Sequence, residues 1–283
     1  MTDGSARFVG DFLGPEYDRD LDSAERLLGS YVICSTPRSG SGLLSRGLAA
    51  VGVGVPLEYF NPIHRELLVG RWGCGAELPA YVRELHRRRA AGGWFGAKLH
   101  WEQFSRLRAE ATQEEEDPLR HETPPSLLER LFPTPRFIRV VREDLDRQAI
   151  SYWRALCSQL WSLAVGEEAG AQYEDTPYDR EAIMRCREAI ANGELCWERL
   201  IREHGGRSIV VTYEELASDF VNTIERTADF ISPGLAVAPT APRTRQLADR
   251  RSNEMLERLR AERLREEPPE LQPQPAGART LRA

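Results

Sequence analysis

Tyr31-Val32-Ile33-Cys34-Ser35-Thr36-Pro37-Arg38-Ser39-Gly40-Ser41-Gly42-Leu43-Leu44 is the stretch on which the fold turns. Its first four residues are apolar and rich in β-formers, which predicts a short buried strand. From Ser41 to Val51 the apolar residues Leu43, Leu44, Leu48 and Val51 recur at helical spacing, so the intervening STPRSG is a strand-to-helix loop. Gly40 and Gly42 let the backbone approach a ligand closely. The helix that follows aims its free N–H groups and positive dipole end back at the loop. The Arg38 guanidinium and the Ser39 and Ser41 hydroxyls add donors. The stretch reads as an anion cradle; a serine–glycine turn that merely caps a helix is the structural alternative.

Working outward, Trp94–Leu99, Arg136–Val141 and Ser208–Thr212 read as further strands. Between them the spacing predicts a basic helix over Pro79–Ala91, a helix capped by Asp144 from about Leu145 to Val165, and a helix over Tyr178–His204 ended by Gly205-Gly206. Helices are also predicted over Glu214–Ile231 and Asp249–Glu266, and an exposed acidic loop over Glu110–Pro125. The fold class is α/β, a mainly parallel central sheet flanked by helices. Residues 1–24 are an N-terminal extension that Phe8, Phe12, Leu13 and Tyr17 are placed to dock; 25–266 form one domain; 267–283 are a proline-rich disordered tail. In such sheets ligands sit at the carboxyl ends of the strands. The residues just past the four strands are the loop at Ser35–Gly42, then Lys98-Leu99-His100, Arg142 and Tyr213, a set that favours an anionic ligand.

Composition narrows the class. A formal net charge of −6 disfavours nucleic acid as a partner but allows a local basic pocket. No apolar run approaches the roughly eighteen residues of a membrane span, and the N-terminus has no leader pattern, so the expected location is the cytoplasm. The five cysteines are scattered and lack metal-site spacing, so no metal is expected. Lysine and arginine together number 38, yet Lys98 is the only lysine. A compact ammonium in an arginine-rich chain marks a place where a wide planar fork is a poor substitute.

The loop lacks the lysine of a kinase P-loop, and Arg142 stands at the strand end where a metal-binding aspartate belongs. A transferring sulfuryl group carries less charge than a phosphoryl group and needs no metal, so sulfuryl transfer is favoured. With Asp144 as cap, Ser151 lies about 10 Å along the next helix. Arg142 and Ser151 can then meet one phosphate from two sides.

TPRSGSGLL (36–44) and REDLDRQAISYWR (142–154) resemble the 5'-phosphosulfate and 3'-phosphate segments of sulfotransferases that use 3'-phosphoadenosine-5'-phosphosulfate (PAPS). LEYF (57–60), GAKLHW (96–101) and ADRRS (248–252) add a likeness to the bacterial branch typified by mycobacterial trehalose 2-sulfotransferase. The resemblance implies a P-loop-like nucleotide-binding sulfotransferase fold, PAPS as donor and a homodimer. It implies donor contacts from Pro37, Arg38, Ser39, Gly40, Ser41, Gly42, Arg142 and Ser151, with Arg251 and Ser252 as weaker additions. Gly42 departs from the family's usual threonine, and Leu247 from a polar residue. The family's base corresponds to Glu58, whose apolar neighbours Leu57, Tyr59 and Phe60 lead to an expected rise in its pKa. His100 is the competing base, by analogy with the animal cytosolic enzymes; the trehalose branch has an apolar residue there. Lys98 and Arg38 complete the catalytic set as charge stabilisers. The acceptor is a hydroxyl of a carbohydrate or other small metabolite. A nucleotide-binding module without catalysis and a metal-dependent small-molecule kinase are the alternatives.

Overall fold

Tyr31 and Ile33 enter one hydrophobic cluster and Val32 and Cys34 another, and all four side chains are fully buried. That two-residue alternation places the strand between two helical layers. The computed structural model describes residues 12–19, 27–113, 124–163, 168–239 and 249–266. Along the chain run β1 (Gly29–Ser35), α1 (Ser41–Ala50), α2 (Pro62–Trp72), α3 (Leu78–Arg89), β2 (Ala90–Ala91), β3 (Trp94–His100), α4 (Trp101–Gln113), α5 (Pro124–Leu131) and β4 (Pro135–Val141). Then come α6 (Leu145–Ser158), α7 (Ala171–Glu174), α8 (Arg180–His204), β5 (Ser208–Thr212), α9 (Tyr213–Ser218), α10 (Phe220–Ile231) and α11 (Arg250–Glu266).

The sheet order is β2-β3-β1-β4-β5, parallel throughout except for the short β2, which runs antiparallel to β3. The chain goes from β1 to β3 on one side and then crosses to β4 on the other. The reversal of direction beside β1 opens a crevice at its carboxyl end, where α/β sheets bind ligands. Register brings the chemistry there: Ser35 pairs with His100, Ile33 with Lys98, Ser35 with Val140, and Val141 with Thr212. The four post-strand segments therefore share one edge, as the sequence implies.

On one face, Leu44 and Leu48 of α1 and Ile224, Ala228 and Ile231 of α10 pack against Tyr31, Ile33, Ile138 and Val140. On the other, residues from α3, α4, α5 and α8 bury Phe95, Ala97, Leu99 and Phe137. A third cluster joins α6, α8 and α11 through Ile150, Ile190 and Leu259. Fully buried Arg154 ties α11 to α6: it donates to Asp249 (2.9 Å) and to the Tyr173 carbonyl (2.8 Å).

Several boundaries differ from expectation. The helix that begins at Leu145 stops at Ser158 because Gln159 turns left-handed (φ 55°); residue 165, its expected end, lies outside the described residues. The expected helix over Glu214–Ile231 is two helices. A capping box between Thr212 and Glu215 starts the first, and Asp219 (φ −145°) separates them. The expected acidic loop is helical up to Gln113 and again from Pro124, while 114–123 lie outside the described residues. Of the N-terminal extension, Phe12 and Leu13 pack on the main core, and buried Arg89 pairs with Asp18 at 2.9 Å. Phe8 and the tail at 267–283 lie outside the described residues. All five cysteines are free. Among the described residues no helix is long and apolar enough to cross a membrane.

Candidate active site

The loop after β1 owes its shape to two left-handed residues, Arg38 (φ 66°) and Gly40 (φ 92°). Alternation of this kind turns successive N–H groups into one concavity, the geometry of an anion nest. For an arginine it costs on the order of 1 kcal/mol, a strain typical of functional turns. At Gly40 any Cβ would sit 2.9 Å from a Tyr213 ring carbon, so glycine is required twice over.

Two buried side chains and one half-buried carboxyl clamp the loop from beneath. Gln148 of α6 donates to Thr36 Oγ1 (2.9 Å) and to the Pro37 carbonyl (2.8 Å). The Trp197 indole of α8 donates to the Ser35 carbonyl at 3.0 Å. Thr36 Oγ1 in turn donates to Glu194 (3.4 Å), whose carboxyl burial pushes up in pKa, against the pull of Arg139. Gln148→Ala should therefore loosen the cradle and weaken nucleotide binding about tenfold, the effect of roughly one lost buried hydrogen bond. Titration calorimetry with 3'-phosphoadenosine-5'-phosphate reads this directly; unchanged affinity would remove Gln148 from loop positioning.

Inside the loop, donors await acceptors. Ser39 is fully buried and its Oγ has no hydrogen-bond partner among the described residues; the same is true of Arg142 Nε. Arg142, just past β4, lies with its guanidinium carbon 4.3 Å from the centre of the Tyr213 ring. Arg38 Nε donates to Ser151 Oγ at 3.0 Å, and its guanidinium also reaches the Trp161 carbonyl. The predicted cradle and the predicted helix serine are thus in direct contact.

The catalytic candidates meet on the β3 side. Leu57 forms an isolated parallel bridge with Ala97, and Lys98 N–H donates to the Leu57 carbonyl at 2.9 Å. This carries Glu58 to the strand end. Its Oε1 lies 2.7 Å from Lys98 Nζ and 3.4 Å from His100 Nε2, and its Oε2 accepts from Gln103 at 2.7 Å. The expected rise in the Glu58 pKa is overturned. Burial does push the carboxyl up, but Lys98 and His100 outweigh it and hold it well below the usual range. His64 Nδ1 stands 3.1 Å from the Glu58 carbonyl.

Lys98 also links the two halves. A Cβ built at Gly42 would lie 3.9 Å from Lys98 Nζ and from an Arg46 nitrogen, which is ordinary contact. The ammonium therefore stands between the carboxylate and the mouth of the cradle.

Arg251 and Ser252 have other occupations. Ser252 is buried, with its hydroxyl on Asp249 (3.0 Å) and Arg154, and Asp249 caps the start of α11 by accepting the Ser252 backbone N–H at 2.8 Å. Arg251 is exposed beside Glu254 at 3.8 Å. No contact among the described residues brings Arg251 to the loop. Gln103, Gln148 and Trp197 went unnoticed in sequence. The one available signal was Gln148, which sits in the same conspicuous block as Ser151.

An anion nest at a switch point, facing a carboxylate–ammonium pair, defines a group-transfer enzyme with an anionic donor. The chain belongs to the Stf0 sulphotransferase family, which matches residues 30–262. It is 28% identical over 265 residues to a trehalose 2-sulfotransferase of Mycobacterium tuberculosis (strain ATCC 35801 / TMC 107 / Erdman), covering 84% of this chain and 96% of that protein. A trehalose 2-sulfotransferase of Mycolicibacterium smegmatis (strain ATCC 700084 / mc(2)155) is 24% identical over 262 residues, with the same coverage. The chain is a sulfotransferase, and the readings as a non-catalytic module or a kinase fall away.

Proposed function

We propose that this enzyme moves the sulfuryl group of PAPS to a hydroxyl of a carbohydrate, giving a sulfate ester and 3'-phosphoadenosine-5'-phosphate. The observation that carries this reading is the position of Lys98, between the Glu58 carboxylate at 2.7 Å and the open face of Gly42. The loop fits such a donor: among the described residues Ser39 Oγ and Arg142 Nε are buried without hydrogen-bond partners, and Gly42 leaves the backbone open. Pro37 to Gly42 would hold the 5'-phosphosulfate, and Arg142 with Ser151 the 3'-phosphate.

PAPS supplies an activated sulfuryl group whose bridging S–O bond breaks as the acceptor oxygen bonds to sulfur. Glu58 takes the acceptor's proton. Lys98 and Arg38 oppose negative charge gathering on the sulfuryl oxygens and the departing phosphate. The loop N–H groups are preorganised for that charge, so little reorganisation accompanies transfer.

Two similar proteins named as trehalose 2-sulfotransferases support a sugar acceptor. The homodimer and the cytoplasmic location belong to the same proposal. The test is an acceptor screen with sulfur-labelled PAPS, led by trehalose and including other sugars, lipid hydroxyls and phenols. Label transferred to a sugar hydroxyl is the expected result. Transfer only to a phenol or lipid would overturn the carbohydrate assignment.

A further inference from the structure

Glu58 and His100 stand in the sequence as rival bases, and the geometry gives them different tasks. Both ring nitrogens of His100 have partners: Nε2 faces Glu58 Oε1 at 3.4 Å and Nδ1 faces Ser35 Oγ at 3.1 Å. A carboxylate accepts only, so a ring with one hydrogen carries it on Nε2 and leaves Nδ1 as acceptor towards the Ser35 hydroxyl, which also lies 3.4 Å from the Leu99 carbonyl. The ring has no free lone pair to offer an acceptor.

The carboxylate, by contrast, is nearly saturated. An ionised carboxyl has about four lone-pair sites. Lys98 and His100 both lie against Oε1, and Gln103 donates to Oε2 at 2.7 Å. The Gln103 amide is itself oriented, because its Oε1 accepts the His100 backbone N–H at 3.1 Å. One site on Oε2 is left over.

We propose that His100 is a positioning residue which, with Lys98 and Gln103, leaves Glu58 a single open lone pair on Oε2 and so aims the acceptor hydroxyl at that oxygen. Ser35 sets the tautomer of His100. The proposal deepens the reading of Glu58 as base and rests on it. It also explains how one carboxylate can be pinned by three donors and still accept a proton in one direction.

Two measurements test it. Histidine side-chain ¹⁵N NMR on the free protein at neutral pH, with the His100 signals assigned by their loss in His100→Gln, should show the Nε2–H tautomer, and Ser35→Ala should shift the population towards Nδ1–H. A predominantly Nδ1–H ring in the wild type would overturn the proposal. In turnover with labelled PAPS and trehalose, His100→Leu should lower kcat about tenfold, the scale of a small misplacement of a reacting group. Its affinity for 3'-phosphoadenosine-5'-phosphate should stay within about twofold of wild type, a split that a folding defect would not produce. His100→Gln places an amide N–H near the Nε2 position and should recover most of that loss. Equal inactivity of the glutamine and leucine variants would make His100 the base itself and sink the proposal. The NMR arm does not depend on the acceptor. An Nε2–H ring together with no turnover of any acceptor would uphold the positioning geometry and count against the transfer reading alone.

Discussion

Glu58→Gln should lower sulfuryl transfer by about 10²–10⁴-fold, the usual worth of a positioned general base. The swap keeps the side-chain volume and can still accept from Gln103 or Lys98, so the local fold should survive. Binding of 3'-phosphoadenosine-5'-phosphate should stay within about twofold of wild type, because no loop donor touches Glu58. Single-turnover transfer of label, set beside calorimetry, separates the two quantities. Full activity would remove Glu58 from the chemistry. The pH behaviour follows from the depressed pKa of its carboxyl. Its folded value lies below the unfolded one, so the stability from the Lys98 pair is fully present above the ordinary carboxylate range. That stability is lost only as pH falls through the depressed value. The base is therefore ionised throughout the neutral range, and Glu58 titration should not impose a fall in wild-type rate between neutral and mildly acidic pH.

That pKa marks where sequence reasoning stopped. Leu57, Tyr59 and Phe60 were legible as a burying environment, and burial alone raises a carboxyl. What reversed the sign was Lys98, forty residues on in sequence, placed by a β3 register that no local pattern reveals. The strands were legible because each is a short apolar run; counting turns from the Asp144 cap set Ser151 towards Arg142, whereas its hydroxyl accepts from Arg38 Nε at 3.0 Å. The helices α2 and α4 were not. The first begins at a proline capped by Asn61, and the second starts at Trp101 directly from the end of β3, with no turn residue between. Gln103 was lost with α4, since a polar residue in an unassigned segment gives no hint that it grips a carboxylate. Gln148 is fully buried, yet on an amphipathic helix it reads as a surface residue. Buried polar side chains that brace a site are set by partners distant in sequence, and their residue type alone does not distinguish them from solvent-facing ones.

Lys98→Ala should cost about 10³-fold in kcat, because it removes two functions with one ammonium. Its Nζ is 2.7 Å from Glu58 and would lie 3.9 Å from a Cβ at Gly42, so one ammonium spans the carboxylate and the loop. Loss of charge at a developing anion is worth on the order of 10²–10³-fold. The second effect is on the base. Burial pushes the Glu58 carboxyl up, and Lys98 is the largest of the influences that hold it down. Without it the desolvation that already favours the neutral acid is less opposed, so the Glu58 pKa should rise. The pH–rate profile of Lys98→Ala should therefore gain an acid limb at higher pH than any in the wild type. Lys98→Arg keeps the charge but replaces a compact point donor with a planar fork, in a space where a Cβ at Gly42 would already be 3.9 Å away. It should restore the wild-type pH profile while recovering only part of kcat. If Lys98→Ala lowered kcat with no movement of the profile, Lys98 would act on the sulfuryl oxygens alone. If Lys98→Arg were fully active, the argument that this position demands an ammonium would fail.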